Sequence, residues 1–296
     1  MKNILITGGS GLIGKAITSY LKKNNYEVAW LSRKPKKQKQ KSFAWDVHKQ
    51  TLDEKALDWC DGIIHLAGAG VADKRWSEKR KKEILESRTL STRLLFENLQ
   101  KLEKRPEVFI SASAIGYYGM DTGRELIKEE SPEGDGFLAE VVTKWEAELA
   151  RLNTLGMRTV ILRTGIVLDK KGGALAEMLK PPVAAPLGNG KQYMSWIHLD
   201  DLAAMYGYAL THPLTGIYNA VAPHPVSNYD LTKAAAEAKG KPFLPIPVPG
   251  FLLKIVLGEM AGMVTGGNKV SSQKVEMAGF IFKYPYIKEA LEKIYK

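Results

Sequence analysis

The chain has 296 residues, 45% of them hydrophobic, which suffices for a sizeable core and excludes a disordered protein. Its formal net charge is +11, and much of the excess sits in runs at 34–41 and 79–82. Such runs are solvated faces or attract anions such as nucleotide phosphates; no zinc spacing or RNA-binding motif accompanies them, so neither a metal nor a nucleic-acid partner is expected.

The first predicted element is a β-branched run, Ile4–Thr7, that ends in glycine and reads as a buried strand. Apolar residues at 12, 13, 16, 17, 20 and 21 then give helical spacing to about Asn24, and Glu27–Ser32 returns as a strand. This is a βαβ unit. The only cysteine, Cys60, excludes an internal disulfide, fits a reducing compartment and reads as a small buried hydrophobe. A strand at Gly62–Leu66, a long charged helix at Glu78–Leu102, a strand at Val108–Ser111, a helix at Leu138–Asn153 and a strand at Thr159–Arg163 follow. Alternation of this kind predicts an α/β fold, a doubly wound parallel sheet of Rossmann type. Residues 170–195 are rich in Gly and Pro and break the rhythm. Trp196–Leu210 reads as strand plus helix, capped by Asp200 or Asp201, and Ile217–Ala220 as a strand. Helices are predicted near Asp230–Lys239 and Gly250–Met263. The apolar stretch at 247–264 is interrupted by Lys254 and Glu259, too short a run to span a bilayer. The strand pattern begins at Ile4, leaving no room for a leader, so a cytoplasmic protein with no membrane partner is expected. The expected division is a nucleotide-binding domain at 1–165 and 196–222, and a smaller substrate domain at 166–195 and 223–296.

Between the first strand and helix, Gly8, Gly11 and Gly14 form G-x-x-G-x-x-G. One glycine makes the tight turn, one lets backbone approach a pyrophosphate, and one lets helix pack on strand. The helix N-terminus then offers N–H groups to phosphate oxygens. Where an NAD-binding chain places a carboxylate after the second strand, this one reads Ser32-Arg33-Lys34. A hydroxyl and two cations suit an adenosine 2′-phosphate, so NADP(H) is expected over NAD(H). The small residues of Leu66-Ala67-Gly68 end a later strand where the cofactor crosses the sheet. His65, beside them, reads as a packed core histidine.

The segments TGGSGLIG, HLAG, SASAIGYYG and SWIHLDD, in this order, resemble the extended short-chain dehydrogenase/reductases. KWE at 144–146, LRTGIVL at 162–168, GNGKQ at 188–192 and YNAVAP at 218–223 narrow the likeness to their atypical epimerase-like branch. The tail at 273–285 is similar to that branch's own C-terminal domain, so the resemblance spans the chain. It implies an NADP site formed by Gly8, Gly9, Ser10, Gly11, Leu12, Ile13 and Gly14, with Ser32, Arg33, Leu66, Ala67, Glu83, Arg88 and Val167.

The superfamily reaction uses Y-x-x-x-K on one helix with a nearby serine. Lys144 fits the lysine, but Glu140 stands where the tyrosine belongs. Ser113 fits the serine, Tyr117 and Tyr118 follow in a loop that reaches the nicotinamide, and Glu140 is an acid or base if buried. Alternatives of packing for the tyrosines and a helix ion pair for Lys144 stand beside these roles. Gln192, Trp196 and Asn219 are candidate substrate contacts, with a core Trp as the plainer fate of Trp196. The helix at 78–102 is a candidate homodimer face. Two functions stay open. One is an NADP-dependent oxidoreductase or nucleoside-diphosphate-sugar epimerase of atypical type, acting on a small-molecule substrate such as a nucleotide sugar. The other is a non-catalytic NADP(H)-binding sensor or regulator.

Overall fold

The computed structural model describes residues 1–37 and 39–296; Gln38, inside the basic run, lies outside the described residues. The first half contains β1 (Asn3–Thr7), α1 (Leu12–Lys23), β2 (Glu27–Ser32), β3 (Ser42–Asp46), β4 (Thr51–Leu52), α2 (Lys55–Trp59) and β5 (Gly62–His65). Then come α3 (Glu78–Leu99), β6 (Val108–Ala114), β7 (Leu126–Ile127), α4 (Phe137–Ala150), β8 (Arg158–Thr164), β9 (Ile166–Leu168) and α5 (Gly173–Met178). Next are β10 (Tyr193–Met194), β11 (Trp196–His198), α6 (Leu199–Thr211), β12 (Gly216–Ala220), β13 (Val226–Ser227) and α7 (Asn228–Lys239). The chain closes with α8 (Gly250–Leu257), α9 (Gly262–Thr265), β14 (Lys269–Val270), α10 (Gln273–Met277) and α11 (Ile287–Tyr295).

The main sheet has the order β12-β8-β6-β5-β1-β2-β3-β4, parallel except for the last pair. The chain winds from β1 out to β3, then returns to the other side of β1 as β5, so a crevice opens beyond the carboxyl ends of β1 and β5. Alternation along β1 sets the two layers. Ile4 and Ile6 face the side covered by α1 and α6, with Ile17, Leu21, Leu202 and Tyr206. Leu5 faces the side covered by α3 and α4, with Leu95, Leu99, Trp145 and Leu149. Both faces are covered, which is why these strands are apolar throughout.

A third cluster joins Leu168, Leu175, Trp196, Leu231, Leu291 and Ile294. Residues 275–282 depart from it: Val275, Phe280 and Phe282 pack on the α1–α6 side. The helix expected over 250–263 is three pieces, because Gly258 has φ +62° and ends α8. Neither Asp200 nor Asp201 caps α6. His198 Nδ1 accepts the Asp200 N–H at 3.0 Å instead. Asp201 is buried and accepts the N–H groups of Lys283 and Tyr284, both at 2.9 Å, tying down the tail.

Candidate active site

The β1–α1 turn is built by steric necessity. Gly8 has φ +69°, and a Cβ there would lie 2.9 Å from the Leu66 carbonyl oxygen. At Gly14 a Cβ would lie 2.5 Å from the Gly8 carbonyl oxygen and 2.6 Å from Gly9 Cα. Gly9 meets the Trp30 ring in the same way. Among the described residues the N–H groups of Leu12 and Ile13 find no acceptor, and the first turn of α1 has no acidic residue. The turn thus leaves donors and a positive helix end facing the crevice.

Thr7 joins this turn to the next strand. Its Oγ1 accepts N–H groups from Leu66 at 3.0 Å and Ala67 at 3.1 Å. Its own hydroxyl lies 2.8 Å from His65 Nδ1. With Thr7 donating, His65 Nε2–H points to Thr92 Oγ1 at 3.2 Å. His65 is fully buried, and burial pushes its pKa down to about 3, so it is a neutral core residue.

At the end of β2, Ser32 Oγ accepts the Lys34 N–H at 3.1 Å. Arg33 and Lys34 are exposed, and no ion pair among the described residues involves either. Helix α3 braces the loop after β5 from behind. Arg88 Nη1 donates to the carbonyls of Ala69 at 3.0 Å and Ile84 at 2.9 Å, and its guanidinium lies against Gly68. Burial lowers the Arg88 pKa to about 10, which leaves it charged at neutral pH. Glu83 accepts from Arg80 at 2.7 Å, and Arg80 donates to the Gly70 carbonyl. Val167, half-buried in β9, packs on the α1–α6 core.

Beyond the carboxyl ends of β6, β8 and β12 lies a buried polar network. Glu146 on α4 accepts Ser113 Oγ–H at 2.6 Å, Arg163 Nε–H at 2.9 Å and Arg163 Nη2–H at 2.7 Å. Arg163 Nη1 donates to the Tyr118 hydroxyl at 3.0 Å and the Glu129 carbonyl at 3.2 Å. Tyr118 donates to Asn219 Oδ1 at 2.8 Å. Burial pulls the Arg163 pKa down, but Glu146 more than offsets it and the net shift is upward. Burial raises that of Tyr118. The Arg163 guanidinium also lies 3.5 Å from the Tyr117 ring centroid. Tyr117 is half-buried, and its hydroxyl has no partner among the described residues. Of the four catalytic candidates, three therefore gather here: Ser113 and Tyr118 as network members, Tyr117 at its edge.

Lys144 does not join them. It pairs with Glu140 at 2.6 Å on the outer face of α4, and its side chain is 54% exposed. Both line an open groove of about 680 Å³ between the starts of α3 and α4. The inner face carries Leu138, Val142 and Glu146, four residues apart. A Cβ on Gly116, after β6, would stand 3.4 Å from Leu138 and 3.9 Å from Val142. Apart from Glu146, the positions that look at the end of β6 are thus apolar, and they lie two residues out of phase with Lys144. The proposed base Glu140 is not buried.

Trp196 is fully buried and donates to the His224 carbonyl at 3.0 Å, so it serves the core and is no substrate contact. Asn219 is held by Tyr118, by the Ser271 carbonyl at 3.2 Å, and through its N–H by Glu129 Oε1 at 2.8 Å. Gln192 Nε2 donates to the carbonyls of Leu187 at 2.9 Å and Val264 at 2.7 Å. Its Oε1 is buried without a partner among the described residues, as are Asn268 Oδ1 and Thr122 Oγ1. All three meet one strap: Asn268 is part of it, Thr122 N–H donates to its Gly267 carbonyl at 3.1 Å, and Gln192 bonds the Val264 carbonyl that leads into it. The strap carries β14, which pairs with β7, and Asn268 Nδ2 donates to the Gly119 carbonyl at 2.9 Å. Glu146, Arg163, Glu129 and Asn268 escaped the sequence reading. An Arg inside the apolar run TVILRT was the available signal; a cation there demands a buried partner.

A parallel sheet wound in this order, with a glycine turn at its switch point, defines a dinucleotide-binding protein of Rossmann type. The chain belongs to the NAD dependent epimerase/dehydratase family, whose model matches residues 4–221. Residues 248–294 match a domain of unknown function, DUF1731. The chain is 35% identical to epimerase family protein SDR39U1 of Mus musculus, over 98% of this chain and 99% of that one. The crystal structure of human epimerase family protein SDR39U1 (isoform 2) with NADPH is similar at TM-score 0.89 and 32% identity, covering 99% of this chain and 98% of that one. The nucleoside-diphosphate sugar epimerase structure from Corynebacterium glutamicum is similar at TM-score 0.79 and 33% identity, covering all of this chain but 59% of that one. No helix among the described residues is long and apolar enough to cross a membrane.

Proposed function

We propose that this chain binds NADP(H) across the β1–β5 crevice and uses it in the oxidoreduction or epimerisation of a hydroxylated small molecule. The observation that carries the cofactor is the unpaired Arg33–Lys34 pair beside Ser32, on the same edge as a turn that only glycine can make. Leu12 and Ile13 N–H groups would hold the diphosphate, and Arg33 would answer the 2′-phosphate with a bidentate fork. Glu83 and Arg88 would act through the 68–70 loop. That the neighbouring human protein was crystallised with NADPH supports this choice. The bound nicotinamide supplies or accepts the hydride.

The chain's own residues then have to position the substrate and move a proton. Ser113 is committed to Glu146, and Tyr118 to Arg163 and Asn219. Tyr117 is the candidate that keeps a free hydroxyl at the end of β6. Three unpartnered buried oxygens near the strap suit a ligand rich in hydroxyl donors, such as a nucleotide sugar, the class named for the Corynebacterium relative. We assign the substrate unit to 166–195 and 223–296. The inner face of α4, apolar but for a Glu146 committed to Arg163 and Ser113, favours a second reading: cofactor binding without turnover, as in a sensor of cofactor state. It leaves no Tyr–Lys relay at the expected place.

Fluorescence or calorimetric titration with NADPH and NADH tests the cofactor. Saturable NADPH binding is expected, and Ser32→Asp with Arg33→Ala should reverse the preference; an unchanged preference overturns the assignment. NADPH oxidation against a panel of nucleotide sugars and carbonyl compounds separates the two readings. Turnover that falls in Tyr117→Phe supports catalysis. Tight binding without turnover on any of them supports the sensor.

A further inference from the structure

We propose that α8 is a docking helix that seats this protein on anionic lipid membranes. Most apolar helices in a folded chain hide one face. Here no residue of α8 is buried. Leu253 and Leu257 are half-buried and hold the helix to the body. Phe251, Leu252, Ile255 and Val256 form a stripe on the opposite side, between 43% and 69% exposed. Leu244 and Ile246, upstream in the chain, are also 45% and 66% exposed. A contiguous apolar crest of this kind marks an interaction site on a water-soluble fold.

Charge selects the occupant. From Ala238 to Gly258 the chain has Lys239, Lys241 and Lys254 and no acidic residue. Lys254 stands beside the crest on α8 itself and is exposed. The Arg75 guanidinium lies against Gly258 at the helix end. The first acidic residue beyond, Glu259, pairs with Lys81 at 2.6 Å, an ammonium it shares with Glu78 at 3.3 Å. An apolar stripe bordered by Lys254 and Arg75 matches an interface of acyl chains and anionic headgroups. A second copy would bring Lys254 against its own like and +11 against +11, which opposes a dimer on this face. Docking of this kind needs no spanning helix. The expectation that no membrane partner exists rested on a spanning stretch alone and does not bear on an interfacial helix.

The test is co-sedimentation of the full chain with phosphatidylcholine vesicles, with and without about 30% phosphatidylserine, an anionic lipid. Binding is expected only to the anionic vesicles, weakening as salt rises. The double variant Phe251→Ser with Ile255→Ser should lower the bound fraction by roughly tenfold, and Lys254→Glu by several fold. Both positions are exposed, so circular dichroism and the melting temperature should match wild type. Wild-type protein that stays in the supernatant with anionic vesicles overturns the proposal. So does a double variant that sediments as wild type does. A lipid-independent dimer that this variant dissolves, seen by light scattering, would replace the membrane with a second copy.

Discussion

Replacing Glu146 with Gln isolates the buried network in one atom. The carboxylate accepts two guanidinium bonds and one hydroxyl bond, all 2.9 Å or shorter. Arg163 is 2% exposed and Glu146 9%, so water cannot take over. The amide puts a donor where an acceptor stood and leaves the guanidinium without its counter-charge. Breaking a buried ion pair from one side costs about 3–5 kcal/mol. With an unfolding entropy of roughly 2.1 cal/mol/K per residue over 296 residues, that lowers the melting temperature by about 5–8 °C. Urea titration and thermal melting followed by circular dichroism read both. Removing both charges, Glu146→Leu with Arg163→Met, should cost less than the sum of the two single changes, because no orphaned charge remains. A loss under about 1 kcal/mol in the single variant, or strict additivity in the double, would refute the assignment of an ion pair held for its own electrostatics.

Three further outcomes follow from the same geometry. Gly14→Ala forces a Cβ to within 2.5 Å of the Gly8 carbonyl oxygen, so NADPH binding in a calorimeter should vanish while the sheet remains folded. Cys60 is buried and its pKa is pushed up to about 12, chiefly by burial. A thiol reagent should label it only after denaturation. His65 has a folded pKa near 3 against an ordinary value near 6.5. Its neutral form therefore contributes stability fully above pH 6.5, and this is lost as pH falls toward 3. His65→Gln should flatten the acid limb of a stability-versus-pH curve by up to about 1.4 kcal/mol per pH unit; parallel curves would refute it.

The main sheet was legible because its strands are fully covered. Continuous apolar runs such as Ile4–Thr7 and Thr159–Arg163 leave little choice but buried strands, and Gly8 and Gly14 punctuate them. The missing pieces are those whose stability is tertiary. β3 (SFAWD) follows a basic run and is completed by pairing with β2. α11 has a clear amphipathic stripe, but Ala290, Leu291 and Ile294 find their partners mainly on α7, far back in the chain. β7 and β14 are two residues each and exist only as each other's partner. Local propensity has nothing to say about such pairs.

The candidate site divides along the same line, and α4 shows why. A motif match fixes residue types but leaves helical phase free. Lys144 satisfies the lysine of Y-x-x-x-K by its place before WE, yet a helix turns 100° per residue, so a two-residue slip carries a side chain to the opposite face. What fixes the phase is Glu146, because only one rotation lets its carboxylate meet both Ser113 and Arg163. Once that pair forms, Val142 and Leu138 must face the end of β6, and Lys144 must face water and Glu140. The buried ion pair thus does more than bind two strands to a helix. It decides which side chains of α4 face the end of β6 and which face water.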